Sequence, residues 1–126
     1  MNRIIVSVIA LILVIAVASF SVLSLDSSCE NLSEKLGEIQ SAAENKDNKR
    51  AIELTENVLE IWENEEKKIS LLVNHSEIDE IEKTVKSLPV LARQDNMERL
   101  EEQSSVAAER VRHIREKEKI SAKNIF

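Results

Sequence analysis

Two histidines, one cysteine and twenty-three carboxylates are the side chains in this 126-residue chain with an obvious reach for catalysis or metal binding. His75, Glu77 and Asp79 come closest to a constellation. His75 and Asp79 stand four apart, so an imidazole and a carboxylate share one helix face. Nitrogen and oxygen donors of this kind suit a transition metal, but two or three more ligands would be needed and no spacing supplies them. His113 stands by itself, and neither histidine sits in an HExxH pattern. The expectation is a helix-junction histidine satisfied by a cap or an ion pair, with no metal and no cofactor. Nucleophilic catalysis needs a serine or cysteine beside a base and oxyanion donors. No GxSxG occurs, and one glycine builds no phosphate-cradling loop. Carboxylate pairs arise by chance on acidic amphipathic helices, so their default is a solvated face. No catalytic residue is assigned, and the chain is read as a non-enzyme.

The elements that would position these groups follow from composition. The chain is 43% hydrophobic, 32% charged and 2% aromatic, with one Gly and one Pro. So few turn formers exclude a sandwich or barrel of many hairpins, and the length fits one domain. The apolar residues are concentrated at one end. Ile4 to Leu25 runs for 22 residues without a charge. At about 1.5 Å per residue it reaches about 33 Å, enough for a hydrocarbon core of about 30 Å. Arg3 precedes it, and Asp26 and Glu30 follow. The positive-inside bias then places the N-terminus in the cytoplasm and residues 26–126 outside. A cleaved signal peptide competes, because Ala16-Val17-Ala18 has the small-x-small pattern of a cleavage site. Hydrophobicity continuing to Leu25 argues for a retained anchor. A lipid-modified Cys29 fits worse, because Asp26 stands three residues before it, where an apolar side chain is wanted. Cys29 is instead read as a small buried hydrophobe, with a disulfide between neighbouring chains as the alternative.

Residues 26–126 read as helix almost throughout. Leu25, Cys29, Leu32, Leu36, Ile39 and Ala43 alternate at spacings of four and three, one face of a helix over 27–44 continuous with the anchor. Glu44 to Asn48 holds no apolar residue and breaks it. A second helix over 48–74 buries Ala51, Leu54, Val58, Ile61, Trp62, Ile69, Leu72 and Val73, with Glu65 interrupting the stripe. Ser76 with Asp79 approximates a capping box for a third helix, whose stripe is Ile78, Ile81, Val85 and Leu88. Pro89 either ends that helix or kinks it. Asp95 or Asn96 caps a fourth helix running to about 121, with Met97, Leu100, Ser104, Ala107, Val111, Ile114, Glu118, Ser121 and Ile125 on its face. One-sided stripes on all four imply an all-α fold: an N-terminal transmembrane helix over 1–25, then an antiparallel bundle of three to four helices over 26–126. A tetratricopeptide-like solenoid is the rival architecture, but no repeat of about 34 residues supports it. With Trp62 its only aromatic, the core is thin, and a partner or a second copy of the chain would help stabilise it.

The charges are segregated. Residues 53–66 carry six glutamates and no base, whereas Arg110, Arg112, Arg115, Lys117, Lys119 and Lys123 cluster near the C-terminus. That cluster either complements the helix dipole and nearby acids or faces anionic lipid. Residues 26–126 net −7, and an acidic domain with almost no aromatic surface is not expected to bind nucleic acid.

Trp62, the run His75-Ser-Glu77-Ile78-Asp79-Glu-Ile81 and the ending Ala-Lys-Asn124-Ile125-Phe126 carry a resemblance over essentially the whole chain. It resembles a family of small membrane-anchored proteins of clostridia and related spore-forming bacteria, a domain of unknown function. The resemblance marks Trp62, His75, Glu77, Ile78 and Asn124 as motif positions without an established role. It also implies association with YetF-type membrane proteins, and hence a membrane-protein partner. Pro89 departs from the family pattern and puts the third helix's continuity at issue. The functional expectation is an extracytoplasmic, membrane-anchored interaction or accessory protein. The alternative is a sensory module whose bundle holds a small ligand or metal, which a deep pocket with convergent polar groups would favour.

Overall fold

The computed structural model describes the backbone of residues 2–125, and their side chains apart from 21, 22 and 118–125. It has four helices, α1 (Asn2–Glu44), α2 (Asn48–Ser70), α3 (His75–Arg93) and α4 (Met97–Ile125), and no strand among the described residues. The first helix is two objects in one. From Leu25 onward the four-three spacing holds, and Leu25, Cys29, Leu32, Leu36, Ile39 and Ala43 are all buried. Before Leu25 the helix is apolar all round, and its large side chains from Ile4 to Phe20 are exposed. By length and composition this stretch is long enough to cross a membrane, with mean hydropathy 2.9 and none of it buried.

Lys46 in the left-handed region (φ 55°) turns the chain after α1. Asp47 then caps α2, its Oδ1 accepting from Arg50 N at 3.3 Å. Ala51, Leu54, Val58, Trp62 and Ile69 line the buried side of α2. Thr55, also fully buried, donates its hydroxyl to Ile52 O at 2.9 Å, so its burial leaves no unsatisfied donor. The helix stops at Ser70, a turn earlier than the expected 74. The cause is Asn74, whose extended backbone (φ −60°, ψ 136°) lets its side chain accept from Ser76 N at 3.1 Å. Asn is at least as good an N-cap as Ser. The N-cap therefore sits two residues upstream of Ser76, at Asn74, without the reciprocal Glu bond of a capping box because the Glu77 carboxylate meets Lys117 instead, and Val73 folds back into the core.

α3 neither ends nor breaks at Pro89 but runs through it to Arg93. The proline has no N–H to give the carbonyl of Val85, a cost offset by burying its ring along with Leu88, Leu91 and Ala92. Asp95 takes a positive φ of 56°, and of the two residues expected to cap α4 it is Asn96 that does so, accepting from Arg99 N at 3.3 Å. Met97, Leu100, Ser104, Ala107, Val111 and Ile114 are buried along α4, and the side chains of Glu118, Ser121 and Ile125 lie outside the described residues. Buried Ser104 donates to Leu100 O at 2.6 Å. α4 continues four residues past the expected end.

α1 packs on α2 and α4, and α3 packs on the same two, which closes the four helices into a ring. Cross-helix pairs join the neighbours. Ser28 meets Glu65, Asp26 meets Arg115, Glu56 meets Arg93, and Glu80 meets Arg110. The connections 45–47, 71–74 and 94–96 are so short that each helix doubles back on the one before it, and three reversals set α4 antiparallel to α1 as well, so every neighbour is antiparallel. This is an up-down-up-down four-helix bundle. A solenoid would keep the first and last helices apart. The α1–α2 and α3–α4 loops meet at the far end, where Asn48 Nδ2 donates to Asp95 Oδ1 at 2.8 Å. There Glu101 has its carboxyl pushed above the usual range by partial desolvation first and by Glu44 second. The α2–α3 turn and the end of α4 lie at the opposite end, where the apolar segment joins.

Candidate functional site

Among the described residues the groups singled out for chemistry lie apart from one another. Cys29 is buried in the α1 stripe, one turn after Leu25. His75 is the exposed first residue of α3, and Asp79 one turn on is exposed as well. His113 is exposed on α4, and among the described residues no three His, Cys, Asp or Glu side chains are grouped to hold a metal. Of the motif positions, Trp62 and Ile78 are core residues at 1% and 2% exposure. Glu77 does a different job. Its Oε1 accepts from Lys117 Nζ at 3.5 Å, tying the start of α3 to the end of α4. The Asn124 side chain lies outside the described residues.

The polar chemistry gathers where the apolar segment enters the bundle. Asp26, the first charge after that segment, accepts from Arg115 Nε at its Oδ1 and from Nη2 at its Oδ2, the latter at 3.3 Å. A planar guanidinium fork matches a carboxylate in this two-point way. Glu30 adds a weaker contact at 3.9 Å. Both groups of the Asp26 pair are about one-quarter exposed. Hydrogen bonding to Asp26 holds the Arg115 proton more firmly than usual, against a smaller opposing effect of desolvation.

One helix over, Ser28 donates to Glu65 Oε2 at 2.8 Å and to Ser24 O at 3.0 Å. Lys68 stands 3.7 Å from the same carboxylate. That explains the break in the α2 stripe. Glu65 sits at the core's edge because α1 brings it a hydroxyl donor. Ser24, Ser28, Glu30, Glu65 and Lys68 line a groove of about 430 Å³ there. A second groove, about 520 Å³ between α3 and α4, is lined by Glu77, Glu109, Arg110, Arg112, His113 and Glu116. Both are surface features of mixed charge rather than a deep pocket with converging groups.

The basic cluster divides. Arg110 pairs with Glu80 at 3.8 Å, Arg115 with Asp26 and Glu30, and Lys117 with Glu77. Arg112 is exposed along the α3–α4 groove. The side chains of Lys119 and Lys123 lie outside the described residues. Asp26, Ser28 and Glu65 were not recognisable from spacing as partners, because 37 and 89 residues separate the pairs. The one available signal was a charge or hydroxyl interrupting an apolar stripe.

No curated protein and no solved structure matches the chain. A family does match, described as Domain of unknown function (DUF4363), over residues 19–125. That span takes in all of α2, α3 and α4 and the part of α1 that lines the core. On this match the chain belongs to the DUF4363 family.

Proposed function

We propose that this chain is a membrane-anchored, non-enzymatic interaction or accessory protein. Residues 1–25 hold it in the bilayer and the bundle of residues 26–126 is displayed outside the cytoplasmic membrane. One observation carries the reading. A single unbroken helix is apolar and exposed from Ile4 to Phe20 apart from half-buried Ala18 and Ser19, then becomes a core stripe of the bundle at Leu25. So large an apolar surface is not stable against water and needs lipid or protein over it. Its length suits lipid. Because the helix does not break at Leu25, a bundle on such a stem is held close to the membrane surface. The partner this arrangement best suits is another membrane protein or a second copy of the chain. The lone Arg3 before the segment supports an inside N-terminus.

Protease added to intact protoplasts is expected to digest the bundle, and protection of residues 26–126 would reverse the assigned orientation. Crosslinking the full-length chain in native membranes is expected to capture another integral membrane protein or a homo-oligomer. Release of the chain by alkaline washing would contradict the anchor.

A further inference from the structure

The most exposed large apolar side chain in the described structure is not in the apolar segment. It is Leu71, 86% exposed, in the turn between α2 and α3. Its height along the bundle follows from the ladder of pairs. Glu65 is level with Ser28 through their 2.8 Å hydrogen bond. Leu71 lies six residues further along α2, about 9 Å beyond Glu65, and about 9 Å from Ser28 towards the N-terminus of α1 is residue 22. The turn therefore reaches the level at which α1 exposes Leu23 (70%) and Phe20 (72%). An isolated exposed leucine is ordinary. One raised to the height of a lipid-seeking segment, on the end of the bundle that faces the same surface, is not. Lys67 and Lys68, both exposed, occupy the last turn of α2 directly behind it. An apolar tip backed by two lysines is the composition of a membrane-interface contact, with the ammonium groups at anionic headgroups and the leucine at the acyl boundary.

We propose that the α2–α3 turn is a second membrane contact. Leu71 enters the headgroup–acyl boundary of the leaflet crossed by α1, and Lys67 and Lys68 lie over anionic lipid. This contact rests on the anchor reading above. Two attachment points, one on α1 and one on the turn, fix the tilt and rotation of the bundle on the surface. The side of the bundle offered to a membrane partner is then set by the fold.

Full-length chain in a Cys29→Ala background, checked for retained helicity, is reconstituted into phosphatidylcholine–phosphatidylglycerol vesicles. Single cysteines carrying an environment-sensitive fluorophore are placed at Leu71→Cys, at Leu13→Cys within the apolar segment and at Lys49→Cys at the far end. Leu71 and Lys49 are exposed, so their replacement leaves the core intact. Expected are blue-shifted emission and quenching by acyl-brominated lipid at 13 and 71, and quenching only by aqueous iodide at 49. Iodide quenching at 71 equal to that at 49, with 13 still quenched by lipid, would overturn the turn contact and leave the anchor standing. Shielding of 71 from both quenchers would place protein on the turn and overturn it as well. Loss of lipid quenching at 13 would remove the anchor and this proposal together.

Discussion

Trp62 is the largest fully buried side chain among the described residues, and it sits in the core with an indole N–H that reaches no acceptor. The two facts pull in opposite directions. Burying the ring removes a large apolar surface from water, while an unmet buried donor costs on the order of 1–3 kcal/mol. Trp62→Ala is expected to destabilise the bundle by roughly 3–5 kcal/mol, a large part of a small domain's stability of about 5–15 kcal/mol. Trp62→Phe removes the unmet donor and keeps most of the ring, so it is expected to cost less than about 1.5 kcal/mol. Urea unfolding followed by far-ultraviolet circular dichroism reads both. A Phe variant as damaged as the Ala variant would mean that the indole N–H has a partner that matters. The sequence marked Trp62 as core because it falls on a helical stripe. It did not show the unmet donor, because what surrounds the ring comes from the neighbouring helices and not from its own.

At the scale of elements, the stripes were legible and the ends less so. The six α1 positions read from spacing are all buried, because period-3.6 burial is a local property that the chain writes directly. Helix ends depend on competition between adjacent cap residues. Asn74 and Ser76 both qualify by type, and backbone geometry chose Asn74. Pro89 shows the same limit, since propensity argues for a break and tertiary burial keeps the helix. The two caps give a direct test. Asn74→Ala is expected to cost about 1 kcal/mol by removing the acceptor for Ser76 N. Ser76→Ala is expected to cost only a few tenths, because its hydroxyl bonds Asn74 at the exposed surface. Equal losses in denaturant titrations would return the cap to Ser76. The cross-helix pairs were illegible for another reason. Asp26 and Arg115 are joined only after three turns of chain, and the sequence holds many acids and bases that would have served as well.

At the scale of the whole molecule, and on the anchor reading proposed above, the lengths of α1 and α4 shift where the apolar segment should meet the lipid surface. Counted from the sequence, that segment closes at Leu25, just before Asp26. In the bundle Arg115 is level with Asp26, and α4 continues to Ile125. Those ten residues run about 15 Å further, alongside α1 to about residue 16. Ala18 and Ser19 are accordingly half-buried, whereas the residues from 2 to 17 are exposed. The last turns of α4 carry Lys117, Lys119 and Lys123. Placing those turns in hydrocarbon would cost about 2.5–3.5 kcal/mol per lysine before any snorkelling. A bilayer surface at the level of residues 20–22, which is also the level of the α2–α3 turn, keeps all but the last turn of α4 out of the hydrocarbon. It leaves Ile4 to about Phe20 as the span, about 25 Å, which a modest thinning of the bilayer accommodates. Maleimide accessibility of single cysteines in sealed vesicles, in the Cys29→Ala background, measures this boundary. Leu13→Cys is expected to be unreactive and Ser27→Cys, exposed on α1, to react from the side of the bundle, with the change falling at 20–24. Protection of Ser27→Cys as well would place the surface at or beyond Asp26. The end of α4 would then have to enter the lipid, or peel away from α1 and break the Arg115 pair, which Asp26→Asn would reveal by changing nothing.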